Sequence, residues 1–226
     1  MFCGYYLTWV NFMPMRQSGK LRLGILGSGC GTNFLAINSA IEGGELPAEI
    51  SIVISDVEDS SILSHARQLD INSRFIDPGS YQTKLDGAAE DKYVSALSDA
   101  GVDLIVLAGF MRILRGGLLK SFEGKVINIH PSLLPSFPGL DACQQALDHG
   151  VKITGATVHF VDRGIDSGAI ILQDIVRVKD DDTSVTLLDR IHEVEHKIYP
   201  EAIATIARGE VAKKGRRTFM AISSGS

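Results

Sequence analysis

Asn128 and His130 are the residues whose types and spacing point most directly to chemistry; they lie two positions apart, just ahead of Pro131. In an extended segment, residues i and i+2 share a face, so an amide donor would sit beside an imidazole. Acyl transfer requires that combination: one group holds the developing oxyanion and another moves protons. The plainer alternative is a capping Asn and a satisfied surface His, and spacing alone does not choose. Further along, Thr157-Val158-His159-Phe160-Val161 alternates like a strand and leads into the loop Asp162-Arg163-Gly164-Ile165-Asp166-Ser167-Gly168. Asp166 could orient His130 and favour its charged ring. From pattern alone, Asp166 could equally be an Asx-turn residue before Gly168.

A second candidate is the turn Gly27-Ser28-Gly29-Cys30-Gly31-Thr32-Asn33, placed between an apolar run and a helical pattern. Such a turn aims backbone N–H groups at a helix N-terminus, which suits a phosphate. Its spacing is G-x-G-x-G rather than the dinucleotide G-x-G-x-x-G, although Asp56 ends the second strand where a ribose-binding acid would sit. No Gly-Lys-Ser/Thr follows, so a Walker loop is excluded. A monophosphate seat fits best, and a plain tight turn is the bland alternative. A third candidate, His192-Glu193-Val194-Glu195-His196, matches the zincin pattern H-E-x-x-H on a predicted helix. No histidine follows His196, and Pro200 is expected to interrupt the helix before the later carboxylates Glu201 and Glu210. An exposed polar helix face explains the stretch better than a zinc hydrolase.

Apolar runs over residues 21–26, 50–54 and 104–108 alternate with helical patterns over 34–41, 60–69 and 85–97. A short strand is expected at 74–76 and another at 126–129. This order predicts a single α/β domain with a mostly parallel, Rossmann-like twisted sheet and helices on both faces. Two longer strands, 154–161 and 169–178, read as an antiparallel pair toward the C-terminal half. Residues 184–208 read as a long helix with its stripe at Leu187, Ile191, Val194 and Ile198. The domain is placed at 21–210. Residues 1–20 are expected to be a dispensable N-terminal extension, with Met13 or Met15 as alternative starts, and 211–226 a C-terminal tail that frays at 223–226.

Hydrophobic residues make up 45% of the 226 and charged residues 22%, enough apolar content for a sizeable core. A net charge of -5 argues against binding a nucleic-acid backbone, which needs a Lys/Arg excess. The apolar stretch over residues 1–14 lacks a basic flank and is too short to span a bilayer, so no membrane role is expected. The three cysteines, Cys3, Cys30 and Cys143, have no metal-ligand spacing and fit a reducing cytoplasm.

Taken together, these motifs resemble the phosphoribosylglycinamide formyltransferase family, folate-dependent enzymes of purine biosynthesis. The resemblance is carried by the glycine turn, Leu107-Ala108-Gly109-Phe110-Met111-Arg112-Ile113-Leu114, residues 128–135 with Phe137-Pro138-Gly139-Leu140, residues 158–161 with Asp166-Ser167-Gly168, and Glu195-His196-Lys197-Ile198-Tyr199-Pro200. They occur in family order over about residues 21–210. The resemblance implies the formyltransferase fold and a catalytic trio of Asn128, His130 and Asp166. Gly31, Thr32 and Asn33 would hold the phosphate end of glycinamide ribonucleotide, and Glu195 would be a further ligand to it. Met111, Arg112, Ile113 and Leu114 would wall the pterin of 10-formyltetrahydrofolate, the co-substrate, with Asn128 close by. Lys84 stands where the family usually carries an Arg, and loses the bidentate fork. No metal is implied, the partners are small molecules, and a homodimer is left open. Rivals within the same chemistry are methionyl-tRNA formyltransferase and formyltetrahydrofolate hydrolase; from another class, a nucleotide-binding module using the glycine turn alone.

Overall fold

Side-chain alternation along the strands decides which face of the sheet each helix covers. The computed structural model describes residues 11–12, 19–81 and 83–220. Its strands are β1 (Asn11–Phe12), β2 (Leu21–Leu26), β3 (Ala48–Ser55), β4 (Ser73–Phe75), β5 (Leu104–Leu107), β6 (Val126–His130), β7 (Ile153–Phe160), β8 (Ile170–Arg177), β9 (Val211–Lys214) and β10 (Arg217–Met220). The helices are α1 (Thr32–Glu42), α2 (Ser61–Gln68), α3 (Gly87–Asp99), α4 (Gly117–Ser121), α5 (Ala142–Asp148) and α6 (Ser184–Ala207). One seven-stranded sheet has the order β4-β3-β2-β5-β6-β7-β8. Pairing is parallel from β4 through β6, and antiparallel from β6 to β7 and β7 to β8. The α/β sheet and its antiparallel pair follow the expectation. The order reverses between β2 and β5, and ligands of open α/β sheets bind beyond the strand ends at such a point.

In β5, Leu104 and Val106 join one core with residues of α1, α2, α5 and α6, whereas Ile105 and Leu107 join a second core with α3 and α4. Each face of β5 is therefore buried and apolar, as a central parallel strand requires. β6 departs from this. Ile127 and Ile129 belong to the first core, but on the opposite face only Val126 joins the second. Asn128 and His130 occupy the rest of that face. In β7 the same split places Ala156, Val158 and Phe160 in the first core and leaves Thr157 and His159 on the polar face. Helix α6 is fixed beneath this region by Tyr199, whose hydroxyl lies 2.8 Å from the Leu107 carbonyl and 3.3 Å from that of Ile127.

Three local expectations are corrected. Pro200 does not interrupt α6, which runs on to Ala207 with Pro200 buried among Tyr199, Ala202 and Ile203; packing on both sides outweighs one missing hydrogen bond. Leu85 is not helical, because Asp86 caps α3 through the Gly87 N–H while the Leu85 N–H donates to the Ile113 carbonyl. The stretch read as a tail contains an antiparallel hairpin, β9–β10, against which β1 also pairs. Thr218 anchors that hairpin by donating to the Ile170 carbonyl at 2.6 Å. The other expectations for residues 1–10, 13–18 and 221–226 lie outside the described residues. No helix among the described residues is long and apolar enough to cross a membrane.

Candidate active site

His130 ends β6, rather than following it, and both of its ring nitrogens face oxygen. Nε2 lies 2.8 Å from the Phe137 carbonyl, which can only accept, so Nε2 carries a proton. Nδ1 lies 3.4 Å from Asp166 Oδ2. Asp166 reaches this position from the loop between β7 and β8, held in a left-handed conformation at φ 47°. The same carboxylate oxygen accepts from the Gly139 N–H at 2.8 Å. Gly168 lets the loop return to β7: a Cβ there would stand 1.7 Å from the Phe160 carbonyl oxygen, closer than any side chain tolerates. His130 and Asp166 are both largely buried, with side-chain exposures of 7% and 15%, so solvent has little access to their contact.

His159 completes the cluster, and the sequence reading gave it no role. Its Nδ1 lies 2.9 Å from the Phe160 carbonyl and must donate. Burial pushes its pKa down, against the smaller opposing pulls of that hydrogen bond and of Asp166, so the ring is neutral and Nε2 holds a lone pair. Asn128 Nδ2 therefore donates to His159 Nε2, at 3.4 Å. The 3.7 Å approach of His159 Nε2 to Asp166 Oδ1 is then no ion pair, and His130 is the other imidazole within reach of that carboxylate. His159 lies directly across from Asn128 in the β6–β7 ladder, a register that periodicity within one strand does not reveal.

The glycine turn lies at the other side of the sheet's crevice. Gly31 is the N-cap of α1 at φ 77°, and a Cβ there would approach Ile62 Cβ to 2.9 Å, so both conformation and space call for glycine. The first-turn N–H groups that follow, including those of Thr32 and Asn33, have no carbonyl within the helix to bond. Asn33 Nδ2 donates to Glu195 Oε2 at 2.8 Å across 162 residues of sequence. Glu195 is 3% exposed, and burial raises its pKa against the Asn33 bond and the nearby His192 and His130. The Asn33 Oδ1 atom is buried with no hydrogen-bond partner among the described residues. A buried carboxylate beside an unanswered acceptor suits a ligand that brings donors.

The stretch from Met111 to Leu114 divides. Met111 is 63% exposed beside the crevice, whereas Leu114 is 4% exposed and belongs to the α3–α4 core. Arg112 bonds the Asp56 carboxylate at 2.7 Å and the Tyr81 carbonyl at 2.8 Å, bracing the loop before α3. Arg112 thus engages Asp56 through Oδ2, while Asp56 Oδ1 is buried without a hydrogen-bond partner among the described residues. Lys84 pairs with Asp86 and stands over the Tyr81 ring, while its backbone bridges to Ile113. In the zincin-like stretch, the rings of His192 and His196 stack 6.2 Å apart, and Glu195 turns inward to Asn33. Among the described residues, no group of three or more His, Cys, Asp or Glu could hold a metal ion.

The strand end of β6 thus brings an amide, an imidazole and a loop carboxylate together, groups that can hold an oxyanion and move protons. A model of the formyl transferase family matches residues 21–203. The chain belongs to that family. It is 40% identical over 195 residues to the phosphoribosylglycinamide formyltransferase of Bacillus subtilis, covering 84% of this chain and 99% of the relative. It is 43% identical over 197 residues to the trifunctional purine biosynthetic protein adenosine-3 of Gallus gallus, covering 86% of this chain but spanning only 19% of that longer protein. The solved glycinamide ribonucleotide transformylase 1 of Symbiobacterium toebii superposes with a TM-score of 0.86 at 45% identity, over 90% of this chain and 95% of that one. The Rossmann-like formyltransferase fold expected from the motifs is the fold observed.

Proposed function

We propose that this chain transfers the formyl group of 10-formyltetrahydrofolate to the amine of 5-phosphoribosylglycinamide, giving formylglycinamide ribonucleotide and tetrahydrofolate in purine biosynthesis. The observation that carries this reading is the convergence of Asn128, His130 and Asp166 at the end of β6. The relatives above, one of them matched over 99% of its length, supply the substrate class.

In this mechanism the glycinamide nitrogen attacks the formyl carbon. The carbonyl π electrons move to oxygen, giving a tetrahedral oxyanion. The Asn128 amide and the protonated His130 ring stabilise that oxyanion, and the Asp166 carboxylate offsets the charge of the imidazolium. As the intermediate collapses, the C–N10 bond breaks, N10 gains a proton and the attacking nitrogen loses one. His130 carries this proton traffic, with no covalent enzyme intermediate and no metal. The first-turn N–H groups after Gly31 hold the phosphate, with Thr32 and Asn33 beside it. Glu195 holds the ribose or glycinamide end. Met111 and Ile113 flank the pterin, Arg112 braces the loop that presents Lys84, and Lys84 meets an anionic group of the folate.

The test mixes the protein with 10-formyltetrahydrofolate and follows deformylated folate with and without glycinamide ribonucleotide. Strict dependence on the ribonucleotide is expected. Equal turnover with water alone would replace this reading with formyltetrahydrofolate hydrolysis.

A further inference from the structure

We propose that Gln173 is a positioning residue for formyl transfer, acting through Thr157 to hold the Phe137 carbonyl against His130. The proposal rests on the transfer reading above. His130 in β6, Thr157 in β7 and Gln173 in β8 are direct cross-strand partners, so the three form one row on the polar face of the sheet. Gln173 Nε2 lies 2.8 Å from Thr157 Oγ1 and 2.9 Å from the Leu134 carbonyl. Thr157 Oγ1 donates to the Ser132 carbonyl at 2.6 Å and accepts from the Leu134 N–H at 3.0 Å. The Thr157 hydroxyl thus gives its one proton and fills both lone pairs, and Gln173 supplies one of those two contacts.

What this brace holds is the loop that closes over His130. The Ser132 hydroxyl lies 2.5 Å from the Ser136 carbonyl and 3.3 Å from that of Phe137. Phe137 stands at φ 55°, a sparsely populated backbone conformation for a bulky residue. Such a conformation persists only where its surroundings over-determine it. Its carbonyl receives the His130 Nε2 proton at 2.8 Å, which decides the nitrogen that faces the loop and leaves Nδ1 to Asp166. Thr157 and Ser132 are fully buried, so loss of one bond in the row leaves a polar atom without water to replace it. Gln173 touches no reacting atom. It acts by fixing where the imidazole stands, and a misplacement of about 1 Å can cost on the order of a hundredfold in rate.

The experiment compares Gln173→Leu and Thr157→Val with Thr157→Ser, which keeps the hydroxyl. Steady-state kinetics are measured alongside 15N spectra of histidine-labelled protein, with the His130 signal identified by its loss in His130→Ala. The expected result is a kcat roughly tenfold or more below wild type for Gln173→Leu and Thr157→Val, with both KM values within about twofold. The His130 Nε2–H signal should weaken or average in both, and Thr157→Ser should restore signal and rate. An unchanged His130 signal with kcat within about twofold of wild type would overturn the proposal. So would lower melting temperatures with the His130 signal intact, because Gln173 would then serve the fold alone. If Gln173→Leu fails to fold, the Thr157→Val and Thr157→Ser pair decides. If the wild-type chain transfers no formyl group, the functional reading falls, and the His130 signal by itself still judges the brace.

Discussion

The two faces of the β6–β7 pair are built from interleaved residues and do opposite work. Toward α6, Ile127, Ile129, Ala156, Val158 and Phe160 pack into the larger core. Toward the crevice, Asn128, His130, Thr157 and His159 face one another and the loops around them. Neighbouring β5 is apolar on both faces, so the departure is specific to the strand pair at the site. One face tolerates buried polarity because the other carries the packing, helped by the Tyr199 hydroxyl on the carbonyls of Leu107 and Ile127. The proposed chemistry of Asn128 and His130 would thereby sit on rigid strands, which hold catalytic geometry more closely than loops do.

If this division is right, a substitution on the crevice side and one on the packed face should separate turnover from stability. The largest effect is expected from Asp166→Asn, which keeps the shape but removes the charge facing His130. Its kcat should fall by roughly 10²–10⁴ with little change in melting temperature, read by steady-state kinetics and a thermal melt. Next comes Ile127→Ala on the opposite face, at a fully buried position. Urea unfolding should report a loss of about 2–5 kcal/mol, with kcat of the folded fraction near wild type. A collapse of turnover with no loss of stability would erase the distinction between the faces.

Glu195→Gln sharpens the comparison from the ribonucleotide side. Burial raises the Glu195 pKa above its ordinary 4.5, so between that value and the raised one the folded chain holds a proton that the unfolded chain has released. Stability from this group is therefore present at low pH and declines as pH rises through the raised pKa. Glu195→Gln should unfold later than wild type at neutral pH, lose that advantage near pH 4, and bind the ribonucleotide more weakly. Calorimetry at two pH values checks the first part, and an advantage that grew on acidification would contradict it. The smallest effect should come from Lys84→Ala, whose ammonium is exposed and engaged with Asp86. A rise of roughly two- to fivefold in KM for the folate is expected, with kcat unchanged.

Much of the fold was legible because the apolar periods are clean. Runs such as Leu104-Ile105-Val106-Leu107 and the stripe Leu187, Ile191, Val194 and Ile198 need no tertiary information. The errors arose where long-range packing outweighs local preference, as at Pro200 inside α6 and in the β9–β10 hairpin, which depends on partners far away in the chain. The site divides in the same way. The shared face of Asn128 and His130 was legible from their i, i+2 spacing in a strand, although spacing alone did not choose between a chemical and a structural role. The bond from Asn33 to Glu195 joins distant segments that only the family resemblance linked beforehand, and the approach of Asp166 to His130 was one of two open alternatives, because no local pattern fixes a contact between distant segments. His159, Thr157 and Gln173 went unread because their roles follow from cross-strand register, which a single sequence does not display.

The most direct test of the polar face as the seat of chemistry is single-turnover formyl transfer by His130→Ala, with both substrates saturating. The account predicts a rate at least roughly a hundredfold below wild type, with both substrates still bound at near-normal affinity. A rate close to wild type would place the chemistry elsewhere in the molecule.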